Sequence, residues 1–271
     1  MPTRARPSDK RGSESRRHHH WRSSLTESSL GRDFASACEA RILAYCSAPP
    51  VPPFINAIDG WLTPEEAGLL YGIALKEEGP FLEIGSWVGR STASIALGIK
   101  DSGKHKEFVT VDLNPKLQDF RFTFTRSLQG AEYLIPRPGF GFYPLGSKKA
   151  FTVCTPGTYK KSILPALKGP GRVIGMLKKN LSDLNLLDLV TIKEGDFRAV
   201  LDKRKYAFVF CDALHSKAEM DLNLPAIREL VSVGSVVACH DVYNEEIAKY
   251  VQSFIPFRFW CRVDTVGIGF L

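Results

Sequence analysis

The sequence lacks the features on which membrane and secreted proteins depend. Its apolar runs all fall short of the roughly 18 residues that span a bilayer. Its first residues hold no continuous apolar segment, which argues against a secretory signal. The six cysteines include no CxxC pair and indicate reduced thiols of an intracellular protein. These absences predict a cytoplasmic chain with no transmembrane segment.

Two common phosphate-binding motifs are also missing. The P-loop pattern GxxxxGK[ST] does not occur. The stretch FLEIGSWVGRST (81–92) does have the form of a strand, a turn and a helix. Counted from Gly85, however, Trp87 and Arg90 stand where a dinucleotide fingerprint has its second and third glycines. A tryptophan at that point is hard to reconcile with close approach of a pyrophosphate.

Positive charge is concentrated in two stretches of a chain whose net charge is +7. Residues 1–32 carry eight Lys/Arg and three Asp/Glu, and residues 113–168 carry nine and two. The remainder of the chain is acidic overall. This distribution favours a local anionic contact, and we expect no nucleic-acid partner. Residues 1–32 are poor in apolar residues and are predicted to be a disordered basic tail.

The rest of the chain divides into a helical segment and an alternating one. Residues 33–77 have helical patterns, with Thr63 as an N-cap and Glu66 closing a capping box. Between residues 78 and 271, continuous apolar strands alternate with helices. This alternation predicts an α/β fold with a parallel sheet covered on both faces. Ligands of such sheets bind at the carboxyl ends of the strands.

Residues 113–168 interrupt the alternation with a segment that contains nine aromatic residues. A structureless loop of that length is improbable in a compact domain. We predict an inserted cap with some β-structure, for example at FRFTF and AFTVC, that covers the substrate. The alternative is an insertion that only packs its aromatic rings on the sheet edge. Docking of the insertion on a membrane surface is a further possibility that could coexist with catalysis.

The spacing Glu83, Gly85, Gly89, Ser91 resembles motif I of the class I S-adenosylmethionine-dependent methyltransferases. The resemblance implies a Rossmann-like, doubly wound, mainly parallel sheet of seven strands, and S-adenosylmethionine as cofactor. In it, the backbone at Gly85 and Gly89 would wrap the methionine part of the cofactor, and Ser86 and Ser91 would belong to the same cofactor-binding set. Glu83 would face the ammonium group.

Acidic residues at later strand ends extend this resemblance. Asp112 ends the second strand, where the family binds the ribose hydroxyls, and Asp196 ends the third, where the family meets the adenine. Asp212, at the end of the fourth strand, completes the predicted cofactor-binding set. The alternative is that these acids are ordinary turn residues at strand ends.

Two further motifs, FCDALH (210–215) and ACHDV (238–242), end strands that should be neighbours. We expect Asp212, His215, His240 and Asp241 to converge there. The pair resembles small-molecule O-methyltransferases of the macrolide and antibiotic-sugar type, methyltransferase family 24. That resemblance implies a divalent cation, such as Mg²⁺, held by Asp212, His240 and Asp241.

This chain departs from that subgroup at two positions. His240 replaces a carboxylate, and Leu214 stands where the subgroup often has a second acid. We therefore assign the role of base to His215 and include Asp212 and His240 in the catalytic set. A buried His–Asp pair without a metal is the alternative.

The combined prediction is an S-adenosylmethionine-dependent methyltransferase that methylates a hydroxyl of a small molecule. The basic, aromatic insertion suggests an acceptor with a ring and a carboxylate or phosphate. An RNA or protein methyltransferase and a non-catalytic interaction protein on the same fold are the alternatives. Homo-oligomerisation is left open.

Overall fold

The computed structural model describes residues 29–128, 134–144 and 147–271. The helices are α1 (Ser29–Cys46), α2 (Pro53–Asn56), α3 (Pro64–Lys76), α4 (Arg90–Asp101), α5 (Pro156–Thr158), α6 (Leu164–Lys168), α7 (Arg172–Asp183), α8 (Phe197–Val200), α9 (Lys217–Glu229) and α10 (Glu245–Phe254). The strands are β1 (Phe81–Ile84), β2 (Phe108–Asp112), β3 (Phe120–Leu128), β4 (Leu134–Phe142), β5 (Thr152–Cys154), β6 (Thr191–Glu194), β7 (Phe208–Cys211), β8 (Val236–Cys239), β9 (Phe259–Val263) and β10 (Val266–Phe270). A π-helical stretch, Tyr159–Ile163, joins α5 to α6.

Seven strands form the main sheet, in the order β6-β2-β1-β7-β8-β10-β9. Strand β10 is antiparallel to β8 and β9, and the other pairs are parallel. Alternate residues of a strand enter opposite core clusters: Phe81 belongs to one, and Leu82 and Ile84 to the other. Both faces are thus covered, which confirms the Rossmann-like, mainly parallel seven-stranded fold.

Strand β1 marks the point where the strand order reverses. The chain runs from β1 to β2 and β6 on one side, and from β7 to β8 on the other. A crevice opens at such a point, beyond the carboxyl ends of the strands. The turns after β1 and β7 therefore lie together at the centre of this edge.

The N-terminal segment contributes helices α1 to α3, and α3 packs against α1 and α4. The predicted capping box is confirmed: Thr63 Oγ1 accepts from the Glu66 amide at 3.2 Å, and Glu66 Oε2 accepts from the Thr63 amide at 2.8 Å. Helix α1 begins at Ser29, so residues 29–32, predicted to belong to the tail, are helical. The rest of that predicted tail, residues 1–28, lies outside the described residues.

The insertion contains a separate three-stranded antiparallel sheet, ordered β3-β4-β5. Strand β5 lies within the predicted segment AFTVC, and β3 begins with the predicted segment FRFTF but extends beyond it to Leu128, whereas β4 was not predicted. Phe120 pairs with Phe142, and Phe122 with Phe140, so these rings share one face of the sheet. In the part of the chain that the structure describes, no helix is long and apolar enough to cross a membrane.

Candidate active site

A cavity of about 610 Å³ opens at the carboxyl edge of the main sheet. This volume is within the range of small-molecule sites. Seven of the predicted site residues line it: Gly85, Asp112, Asp196, Asp212, His215, His240 and Asp241. The other four predicted residues, Glu83, Ser86, Gly89 and Ser91, do not line this cavity; Ser86 and Ser91 line a smaller one of about 20 Å³ beside it.

The turn after β1 requires glycine at two places. Gly85 has φ +86°, and a Cβ there would lie 2.6 Å from the backbone oxygen of Asp212. Gly89 has φ +103°, and a Cβ would lie 2.5 Å from Leu177 Cδ1 of helix α7. The first glycine thus lets the turn approach the end of β7, and the second lets helix α4 pack against α7.

Asp112 holds this turn in place. Its Oδ2 accepts hydrogen bonds from the amides of Ser86 (3.2 Å) and Trp87 (3.0 Å), and its Oδ1 accepts from the Asn114 amide at 2.7 Å. Burial raises the pKa of Asp112 to about 6, although the three amide bonds favour the ionised form. The ribose-binding role assigned to Asp112 stays a prediction, but its carboxylate lines the cavity.

Glu83 lies beneath the turn, fully buried in β1. Its Oε2 accepts from the hydroxyls of Thr92 and Thr110, each at 2.6 Å. Burial raises the pKa of Glu83 to about 7. Its Oε1 has no hydrogen-bond partner among the described residues. Contact between Glu83 and the ammonium group of the cofactor therefore stays a prediction.

Asp196 caps helix α8 at the far side of the cavity. Its Oδ1 accepts from the backbone amide of Arg198 at 3.0 Å and from its Nε at 2.8 Å. This guanidinium lowers the pKa of Asp196. Phe197 is buried and also lines the cavity, so this wall offers both a ring and an acid.

Strands β7 and β8 bring the motifs FCDALH and ACHDV together, as predicted. Cys211 pairs with Cys239, which places Asp212 beside His240. His240 Nδ1 lies 3.0 Å from Asp212 Oδ1 and 3.5 Å from Asp241 Oδ1. Burial alone would lower the pKa of His240, but the neighbouring carboxylates raise it to about 10.

His215 contacts the same cluster from the start of helix α9. Its Nδ1 lies 3.0 Å from Glu219 Oε2, and its Nε2 lies 3.6 Å from both Asp212 and Asp241. Burial opposes charge on the ring, yet Asp212 and Glu219 raise its pKa well above the ordinary value. The sequence suggested a histidine of ordinary pKa at this position. A cation among the carboxylates would counter this shift and lower the pKa of His215.

A candidate cation site lies at the centre of this cluster. Asp212, His240 and Asp241 each offer one ligand atom, and these atoms lie within 4.8 Å of one another. Asp241 adopts φ +64°, a left-handed conformation that is costly for a residue other than glycine. Two carboxylates and an imidazole suit a divalent ion that accepts both oxygen and nitrogen donors, and they suit Mg²⁺ less well.

Two carboxylates of the cluster were missed in the sequence because helix capping already explained them. Glu66 Oε2 lies 3.5 Å from His240 Nε2. The box predicted at Ser216 and Glu219 forms only in half: Ser216 Oγ accepts from the Glu219 amide, but Glu219 Oε2 accepts from the His215 amide at 2.9 Å. The spacing of Glu219 four residues after His215 is the signal that could have revealed this contact.

The inserted sheet covers part of the cavity. Phe120, Phe142 and Phe151 line it, together with residues 152–155. Among the described residues of the insertion, no lysine or arginine lines the cavity. The insertion therefore contributes aromatic and small polar groups to the cavity, and its described basic side chains lie elsewhere.

Comparison with known families agrees with this geometry. A family model described as a methyltransferase domain, methyltransferase family 24, matches residues 82–242. The chain belongs to this family. It is an S-adenosylmethionine-dependent methyltransferase, as motif I and the strand-end acids implied. A search of curated proteins gives no significant match.

Solved structures with a similar fold include three methyltransferases. The Podospora anserina methyltransferase PaMTH1, bound to S-adenosylhomocysteine, is 13% identical, with a TM-score of 0.41 and coverage of 85% of this chain and 84% of that one. An O-methyltransferase from Bacillus cereus is 14% identical (TM-score 0.42, coverage 83% and 85%). The O-methyltransferase TomG from Streptomyces achromogenes is also 14% identical (TM-score 0.39, coverage 85% and 78%).

Proposed function

We propose that this methyltransferase methylates a hydroxyl of a small, neutral, ring-bearing acceptor with the help of a divalent cation. The observation that carries the proposal is the position of Asp212, His240 and Asp241. They lie in a cavity that is also lined by the rings of Phe120 and Phe142. A cation site and an aromatic surface in one cavity suit a hydroxyl-bearing ring.

The residues present fit S-adenosylmethionine. The crevice beyond the ends of β1 and β7 lies where the strand order reverses. Ser86 Oγ, which borders the smaller cavity, is buried without a hydrogen-bond partner among the described residues and can serve a polar ligand. We assign Glu83, Gly85 and Ser86 to the amino-acid part of the cofactor, Asp112 to the ribose, and Asp196 with Phe197 to the adenine.

The donor set also fits a divalent cation held by Asp212, His240 and Asp241. When bound, the cation would lower the pKa of the acceptor hydroxyl. The chain itself aligns the acceptor with the methyl group and excludes water beneath the inserted sheet. His215 lies 3.6 Å from Asp212 and Asp241. When its imidazole is neutral, His215 can take up the proton that leaves the acceptor hydroxyl.

The charges in the cavity favour a neutral acceptor over the anionic one suggested by the sequence. The acidic residues that line it are Glu66, Asp112, Asp196, Asp212, Glu219, Asp241 and Asp264. The basic side chains among the described lining residues are Arg198, His215 and His240. Arg198 is paired with Asp196, and both histidines face carboxylates. No free positive group in this set is available for a carboxylate or phosphate.

Calorimetric titration with S-adenosylmethionine, with and without Mn²⁺ or Mg²⁺, tests the donor and cation sites. We expect the wild type to bind the cofactor and the cation. Cation binding should be lost in Asp241→Asn and kept in Asp188→Asn, which changes an exposed residue and serves as the control. Methyl transfer should then favour neutral phenols over their carboxylated counterparts. Unchanged cation binding by Asp241→Asn, or a preference for the carboxylated acceptors, would contradict the proposal.

A further inference from the structure

Glu66 connects the N-terminal helical segment to the active site. It lies in the first turn of α3, outside residues 82–242 that match the family model, and it is 1% exposed. Its Oε1 accepts from the amide of Thr265 at 3.1 Å and from its hydroxyl at 2.5 Å. Its Oε2 accepts from the Thr63 amide and also lies 3.5 Å from His240 Nε2.

Helix capping explains only one of these contacts. A capping-box carboxylate needs no more than the amide of the N-cap residue, here Thr63. A buried carboxylate is costly unless it is paired with a positive group and hydrogen-bonded. Among the described residues, the basic side chain within 4 Å of the Glu66 carboxylate is that of His240. The burial of Glu66 is therefore linked to the imidazole.

The contact also restricts the ring of His240. With Nε2 facing Glu66, Nδ1 faces Asp212 Oδ1 at 3.0 Å and Asp241 Oδ1 at 3.5 Å. A flip of the ring would put carbon atoms where the two nitrogens now stand and would break both contacts. Histidines that bind metals are commonly oriented by a carboxylate on their second ring nitrogen.

We infer that Glu66 is a positioning residue of the active site, which holds the His240 imidazole so that Nδ1 is directed at Asp212 and Asp241. Thr265, in the turn between β9 and β10, fixes the carboxylate from the opposite side. The part of this inference that concerns a cation rests on the proposed function, but the orientation of the ring does not.

The test compares Glu66→Gln with Glu77→Gln. Glu77 follows the other end of the same helix and pairs with Arg41 and Tyr45, away from the cavity. Both variants lose one carboxylate at an end of α3. Thermal unfolding measures the loss of stability that this change causes in each variant. The specific readouts are the imidazole ¹⁵N resonances of His240 in the cation-free protein and the affinity for Mn²⁺.

We expect Glu66→Gln to shift the His240 resonances and to weaken Mn²⁺ binding about tenfold or more, with S-adenosylmethionine binding retained. Glu77→Gln should change neither property. Resonances of Glu66→Gln that match the wild type would overturn the inference, and so would an equal shift in Glu77→Gln. If the wild type binds neither Mn²⁺ nor Mg²⁺, the cation part of the proposed function fails, while the resonances still decide the role of Glu66.

A second variant covers the case in which Glu66→Gln does not fold. Thr265→Val removes the hydroxyl that donates to Glu66 Oε1 but keeps the backbone amide and the shape of the side chain. We expect a smaller shift of the His240 resonances in the same direction. A folded Thr265→Val protein with unchanged resonances and unchanged Mn²⁺ affinity would count against the inference.

Discussion

Gly85 lies so close to Asp212 that a methyl group on its Cα would stand 2.6 Å from the Asp212 backbone oxygen. This contact joins the turn assigned to the cofactor with the strand end that carries Asp212, the first acid of the predicted catalytic set. The Asp212 amide in turn donates to the Ile84 carbonyl at 2.8 Å. The two halves of the site are thus held together by backbone, and side chains at Gly85 are excluded.

Gly85→Ala should therefore destabilise the protein and weaken cofactor binding. The positive φ and the clash with backbone together should cost about 3 kcal/mol or more of unfolding free energy. Gly103→Ala is the matched control, because Gly103 has φ +65° but open space around it, and should cost about 1 kcal/mol. Urea unfolding and calorimetry with S-adenosylmethionine measure both effects; equal costs in the two variants would contradict the proposed close approach.

Asp112→Asn should loosen the turn after β1. Either orientation of the new amide directs an NH₂ group at a backbone amide of Ser86, Trp87 or Asn114. We expect a loss of about 1–3 kcal/mol in stability without ligand and a roughly tenfold weaker affinity for S-adenosylmethionine. Exposed Asp188→Asn is the control. A variant with weaker affinity but wild-type stability would indicate that Asp112 serves the ligand alone.

The stability of the wild type should fall as the pH rises from about 4.5 to about 7, through the contribution of Glu83. The folded state raises the pKa of this carboxyl from 4.5 to about 7, so folded Glu83 binds more protons than unfolded Glu83 in this range. Stability decreases with pH wherever the folded state binds more protons, here by about 3 kcal/mol in total.

Glu83→Gln should remove this contribution, since glutamine does not titrate in that range. Its Oε1 can still accept from the hydroxyls of Thr92 and Thr110. Denaturant unfolding at a series of pH values measures the difference between variant and wild type. Parallel pH profiles for the two proteins would show that Glu83 has an ordinary pKa.

Arg90→Lys should weaken the attachment of the N-terminal segment. Arg90 donates from three nitrogens to the backbone oxygens of Ile58 (2.7 Å), Leu62 (2.6 Å) and Asn56 (3.0 Å). A lysine cannot reproduce this fork, and we expect a loss of about 2 kcal/mol in stability. Arg228→Lys, the same change at an exposed site, should have no measurable effect. Equal unfolding free energies for the two variants would contradict this role.

Much of the fold could be predicted because local patterns and tertiary structure agree. The buried strands of the main sheet are continuous apolar runs, and Thr63 with Pro64 marks the start of α3. Strand β4 was missed because Pro136 and Pro138 predict a break in a strand. Strand β5 pairs only with residues Phe140–Phe142 of β4. Pro136 and Pro138 therefore lie in the part of β4 that has β3 as its one described neighbour, where a strand tolerates proline.

The site could be predicted only in part. Asp212 and His240 were recognised together because parallel strands end at one edge. Glu66 was not, because its contact with His240 depends on a docking of α3 that no local pattern encodes. The charge of the insertion says less about the acceptor, since a count of lysines and arginines does not show which way their side chains point.

The contact between Glu66 and His240 changes what should be regarded as the smallest functional unit. The matched family segment, residues 82–242, holds every predicted site residue, yet it holds neither Glu66 nor Thr265. Exchange of that segment between relatives would transplant the acids and the histidines without the neighbours that orient them. Helix α3 and the β9–β10 turn would have to be transferred together with residues 82–242. They are therefore the positions at which compensating substitutions are expected when this active site is engineered.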